Sequence, residues 1–273
     1  MTFHRTQLPN GLQVIAEANP DAHSFAAGFY VNTGSRDESA DINGVSHFLE
    51  HMMFKGSGKY TWEDVNRIFD EMGANYNAYT SQENTAYFAN VLPEFTQAAI
   101  EHLSHLMRPA IRQEDFDTEK KVILEEIAMY LDDPGHRIYE SLMATHFGKH
   151  PLSMSVLGAA GTIRKLKREQ MVEYFGRRYG PGNTILAAAG KLDFDQLVAI
   201  EVNERNAAFI EQVSEPAFGK YQLGVALMSR AFTHDDGSGA KPPEAFRGGS
   251  DQKGMGVDRD SRQEVHEIRL QQN

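Results

Sequence analysis

Apolar positions in this chain recur first at strand spacing and then, from Val45 onward, mostly at helical spacing interrupted by further strand-like runs. Residues 6–15 read as two short strands around Pro9-Asn10-Gly11, because Asn-Gly supplies the positive φ angles that tight hairpin turns need. Residues 24–33 form a further strand region, with Phe29, Tyr30 and Val31 as its apolar run, and Gly34-Ser35-Arg36-Asp37-Glu38 ends it in a polar loop. Asn43-Gly44 then opens a helix whose buried stripe is Val45, Phe48, Leu49 and Met52. Lys55-Gly56-Ser57-Gly58 stops it. Thr61 is an N-cap with Asp64 as a capping-box acid, and the next helix buries Val65, Ile68, Phe69 and Met72 before Gly73 closes it.

Two strands follow, over residues 74–81 and 84–92, joined near Gln82-Glu83. Asn75, Asn77 and Tyr79 fall on one face of the first, and Tyr76, Ala78 and Thr80 on the other. So polar a strand fits a sheet edge, where an extended ligand can add as a further strand; by pattern alone, a solvated edge without ligand is the favoured reading. Helices are expected over 94–107, 114–131, 138–147, 168–179 and from 194 on, with a loop of small residues at 151–161 and an apolar strand at 184–189. The early hairpin and the strand pair around Gln82 argue for an α+β fold: a mainly antiparallel sheet with helices packed chiefly on one face. Residues 1–216 read as one lobe. Residues 217–273, with a run rich in Gly, Asp, Lys, Pro and Ser, read as a low-complexity, disordered tail.

Charge and composition narrow the function. A net charge of −11 with no basic stripe argues against nucleic acid, and no stretch approaches a membrane-spanning length. Nothing in the first residues resembles a signal peptide, so the expected location is cytoplasmic. The absence of cysteine excludes disulfides, thiolate metal sites and a thiol nucleophile.

The chemistry lies in the Val45 helix, which carries His47-Phe48-Leu49-Glu50-His51. This string reads H-x-x-E-H, the inverse of the commoner H-E-x-x-H zinc motif. Residues three and four apart share a helix face, so two imidazoles stack one turn apart with a carboxylate between them. Two neutral imidazoles make half of a tetrahedral zinc site, and a carboxylate beside them can take a proton from a water on the metal. A further ligand is needed, and carboxylate is the candidate type. On the helix over 114–131, Glu119 and Glu126 lie two turns apart on one face, while Glu125 is turned about 100° away and reads as solvated. His102 and His105, three apart, read as a partly exposed helix face rather than a second metal site.

Three blocks carry a resemblance. They are Gly44-Val45-Ser46-His47-Phe48-Leu49-Glu50-His51-Met52-Met53-Phe54-Lys55-Gly56, then Met72-Gly73-Ala74-Asn75-Tyr76-Asn77-Ala78-Tyr79-Thr80, then Glu119-Lys120-Lys121-Val122-Ile123-Leu124-Glu125-Glu126-Ile127. In this order and spacing they resemble the pitrilysin, insulysin and mitochondrial processing peptidase family of inverted zincins, over about residues 8–202. The resemblance implies a zinc endopeptidase lobe hydrolysing short or unfolded peptides through a zinc-activated water. His47, His51 and Glu126 would be zinc ligands and Glu50 the general base. Glu119 would orient a ligand histidine, and the Asn77-Ala78 strand would pair with the peptide backbone. Family members have a later lobe that lends an Arg and a Tyr to the site. Arg230 and Arg247 lack the surrounding motif, so full activity is expected to need a second lobe, a second family-like chain or a homodimer. The competing expectation is a non-catalytic or truncated subunit acting as an interaction module.

Overall fold

The computed structural model describes residues 1–202; the expected tail at 217–273, with Arg230 and Arg247, lies outside them. Six strands are present among the described residues: β1 (Thr2–Gln7), β2 (Gln13–Ala18), β3 (Phe25–Val31), β4 (Asn75–Thr80), β5 (Thr85–Val91) and β6 (Thr184–Gly190). They form one sheet in the order β1-β2-β6-β3-β5-β4. Four of the neighbouring pairs are antiparallel, and β2 pairs with β6 in parallel. The fold is thus α+β as expected, with one parallel pair that sequence reasoning did not foresee. β6 returns after a long helical excursion and inserts between β2 and β3, so its direction is set by tertiary packing rather than by a turn.

The register explains where the core sits. Val14 lies opposite Leu186, Leu186 opposite Phe29, Phe29 opposite Tyr87 and Tyr87 opposite Ala78. All five are buried and make one continuous apolar row across five strands. Against this layer pack helices α1 (Val45–Met53) and α3 (Thr96–Leu106), with α2 (Trp62–Glu71) beside α3. The remaining helices are α4 (Gln113–Leu131), α5 (Pro134–Phe147), α6 (Ala160–Lys165), α7 (Arg168–Arg178) and α8 (Phe194–Val202).

Local chemistry sets the ends of these elements. Thr61 accepts from the Asp64 amide at 3.3 Å while Asp64 accepts from the Thr61 amide at 3.1 Å, the reciprocal cap expected of this pair. Gly73, at φ +59°, closes α2, with Ala74 N–H on Phe69 O and Gly73 N–H on Asp70 O. Two expectations are corrected. The run Asp132-Asp133-Pro134-Gly135 ends α4 and also starts α5: Asp133 accepts from the Gly135 amide at 2.8 Å, and Pro134 takes the first helical position, where its missing N–H costs nothing. The loop of small residues contains the start of α6, which is too short to show a periodic stripe.

Candidate metal centre

α1 is anchored by its apolar side. Val45, Phe48, Leu49, Met52 and Met53 are buried, and the Phe48 ring stacks on Phe116 of α4 at 4.7 Å between centroids. That packing fixes which way both helices face. On α1 it turns His47, Glu50 and His51 toward α4, with His47 and Glu50 buried. On α4 it buries Phe116, Glu119, Ile123 and Ile127, which brings Glu126 over the two histidines and leaves Glu125 exposed.

The three donors converge. Glu126 Oε2 lies 3.7 Å from His47 Nε2 and 3.5 Å from His51 Nε2. Metal–ligand bonds of about 2.0–2.2 Å in a tetrahedron place donor atoms about 3.3–3.6 Å apart; the two Glu126 separations come close to this, and all three donor atoms lie within 4.8 Å of one another. Among the described residues this is the only group of three or more His, Asp and Glu side chains close enough to share a metal ion.

The neighbours of this set are ordered. His51 Nδ1 donates to Glu119 Oε1 at 2.8 Å, which puts the ring proton on Nδ1 and leaves the Nε2 lone pair facing Glu126. Glu119 Oε2 pairs with Lys55 Nζ at 2.7 Å. Burial pushes the Glu119 carboxyl up, but the bonds from His51 and Lys55 outweigh it and hold the group below the usual carboxylate range. Glu50 Oε2 accepts from Thr80 Oγ1 at 2.7 Å. Thr80 belongs to β4, which is an edge strand as expected, so the sheet edge and the Glu50 carboxylate are directly connected. On the same strand Asn77 is exposed and Ala78 is buried, and the Ala78 amide donates to Asn77 Oδ1 at 2.8 Å.

Sequence reasoning missed Lys55 and Thr80. Both stand inside the blocks quoted above, but only the packed structure shows what they touch. It also misjudged His102. The ring is buried, its Nε2–H donates to Val65 O at 2.9 Å, and it packs on Phe69, so it is a core residue rather than part of an exposed face. His105 packs on the Tyr60 ring.

The structure is thus an α+β lobe with one group of side chains able to share a metal ion among the described residues. Residues 13–160 match the sequence profile of the insulinase family, peptidase family M16, and the chain belongs to that family. It is 38% identical over 197 residues to an uncharacterized zinc protease of Mycobacterium bovis, covering 72% of this chain and 45% of that protein. It is 33% identical over 214 residues to the uncharacterized zinc protease YmxG of Bacillus subtilis, covering 78% and 49%. The chain therefore spans about half the length of these relatives. Among solved structures, a protease from Helicobacter pylori superposes with a TM-score of 0.75 at 21% identity, over 80% of this chain and 53% of the other. A peptidase M16 inactive domain from Pseudomonas fluorescens superposes at 0.72 with 18% identity, over 81% and 53%. These two likenesses concern the fold.

Proposed function

We propose that this chain is a zinc-dependent endopeptidase lobe that hydrolyses short or unfolded peptides. The observation that supports this best is the convergence of His47, His51 and Glu126 beside the buried Glu50. His47 Nε2, His51 Nε2 and a Glu126 oxygen would hold the ion. A zinc ion bound there supplies Lewis acidity to a water and to the scissile carbonyl. Glu50 takes the proton of the attacking water as its oxygen bonds to the carbonyl carbon. It then delivers that proton to the amide nitrogen as the C–N bond breaks. The β4 edge at Asn77 and Ala78 would hold the peptide as an added strand, with the Ala78 amide exchanging Asn77 Oδ1 for a substrate carbonyl.

Because the chain spans about half of its relatives, full activity is assigned to its combination with a second lobe, a second family-like chain or another copy. One donor to the developing oxyanion is worth about 3–4 kcal/mol, so a lobe without its counterpart turns over slowly. A second reading, a non-catalytic interaction module, draws on the likeness to the Pseudomonas domain named inactive.

The two readings separate in one experiment. A mixture of unstructured peptides is incubated with the purified chain and with Glu50→Gln, alone and with any co-purifying chain. Cleavage by the wild type only, with equal zinc content in both proteins, is the expected result. Cleavage that persists in Glu50→Gln removes Glu50 as the base. No cleavage in any combination, from a chain that holds zinc, favours the interaction module.

A further inference from the structure

α1 starts without a capping side chain of its own, because its N-cap is Gly44, at φ +95°. The free N–H groups of a first helical turn need acceptors when they are buried. Here the acceptor comes from outside the helix. Glu38 Oε2 accepts from the Gly44 amide at 2.7 Å and from Asn43 Nδ2 at 2.8 Å, and Glu38 Oε1 accepts from the Ser46 amide at 2.7 Å. Glu38 is 6% exposed, so its carboxylate is committed to these donors rather than to water.

The same turn is held from two other directions. Asn43 Nδ2 also donates to Ser155 O at 3.0 Å, and Ser46 Oγ lies 2.7 Å from the Tyr174 hydroxyl of α7. A Cβ added at Gly44 would meet Leu157 O at 2.7 Å, so the chain after α5 already touches the helix start. α1 is only nine residues long, and the motif His47 to His51 begins one residue after the Ser46 amide that Glu38 holds. A short rigid helix transmits any displacement of its first turn to the donors that follow, at 1.5 Å of rise per residue.

We propose that Glu38 is a positioning residue for the metal centre, fixing the first turn of α1 so that the two histidines stay in register with Glu126. It touches neither substrate nor metal. Its carboxylate also opposes the positive end of the α1 dipole, a favourable placement that a neutral amide does not reproduce. A glutamine in its place offers one acceptor oxygen and turns an NH2 group toward a backbone N–H that needs an acceptor. The inference rests on the metal reading of His47, His51 and Glu126.

The test is zinc affinity of the full chain, measured by competition with a chromophoric chelator at pH 8 and 25 °C, with thermal melting alongside. Glu38→Gln and Glu38→Asp are compared with His102→Gln, which disturbs the core between α2 and α3 without touching α1. Residues that orient metal ligands typically change affinity by about 10–100-fold when replaced, and a loss of at least tenfold is expected for Glu38→Gln. Glu38→Asp, which keeps the charge but shortens the reach, is expected to lose several-fold. His102→Gln is expected to lower the melting temperature and leave zinc affinity within about twofold, as a purely structural change does. Glu38→Gln within twofold of wild type overturns the inference, as does a loss matched by His102→Gln at equal destabilisation. Should Glu38→Gln not fold, Glu38→Asp decides by the same twofold limit. A wild-type chain that does not hold zinc overturns the metal reading itself, and this inference with it, in a separate arm of the same titration.

Discussion

The buried Glu119 carboxylate joins a neutral imidazole to an ammonium group. One oxygen holds His51 Nδ1 and the other holds Lys55 Nζ, and its own side chain is 3% exposed. Replacing it with glutamine keeps the size but removes the charge and turns a donor toward one of two donors. Lys55 then loses its counter-ion and His51 loses the acceptor that fixes its tautomer. For Glu119→Gln we expect zinc affinity to fall about 10–100-fold in a chelator competition. Folding stability should fall by about 1–3 kcal/mol, read from urea unfolding of the metal-free chain. Unchanged affinity would mean that His51 is oriented by packing alone. The same pair shows what could be read ahead of the structure. Helix periodicity puts Glu119 and Glu126 on one face and Glu125 away from it, and Glu125 is indeed exposed. Periodicity alone cannot say that this face looks at α1, because that depends on Phe116 stacking on Phe48 across the helix pair.

Between elements, His102 joins α3 to the end of the first turn of α2 through Val65 O, with Phe69 against its ring. Burial lowers the basicity of this imidazole, and the hydrogen bond to Val65 only partly offsets it, so the folded protein favours the neutral ring. The unfolded chain binds the proton more readily, at an ordinary histidine value of about 6.5. The stabilisation is therefore complete above about pH 6.5 and is lost as pH falls through that value toward the lower folded one. Comparing melting temperatures of wild type and His102→Gln from pH 8 to pH 5.5, the wild-type advantage should narrow on the acid side. A constant gap would place the effect in packing rather than in ionisation. His102 also marks a limit of pattern reading. Counted as polar, it made its helix face look exposed, whereas a neutral imidazole with one carbonyl partner packs as a core side chain. The parallel β2–β6 pair escaped for a related reason: an apolar run such as residues 184–189 does not encode its direction, and no turn joins it to its neighbours in the sheet. By contrast, the polar alternation of Asn75, Asn77 and Tyr79 showed a strand with one face toward water, and its polar character fitted the edge position that β4 takes in the sheet.

At the scale of the whole lobe, the donor set is assembled by elements that are already packed without it. Val14, Leu186, Phe29, Tyr87 and Ala78 carry the sheet face, and Phe48, Leu49, Phe116 and Ile123 close α1 on α4. The three donors then stand 3.5–3.7 Å apart along the Glu126 contacts through protein packing. This differs from small zinc domains, whose metal is their core and which unfold when it is withdrawn. Withdrawing the metal should therefore cost this lobe only the ligand's binding contribution. A metal held at about a hundred times its dissociation constant adds about 2.7 kcal/mol to stability. For a lobe of about 200 residues that corresponds to about 5–11 °C in melting temperature. The expected result is that a chelator abolishes peptide cleavage and lowers the melting temperature by that amount, while the far-ultraviolet circular dichroism and the cooperativity of melting stay as they were. Restoring zinc should recover both. Collapse of the cooperative transition on chelation would instead make the metal part of the fold, and the packing of α1 on α4 would then be a consequence of the site rather than its cause.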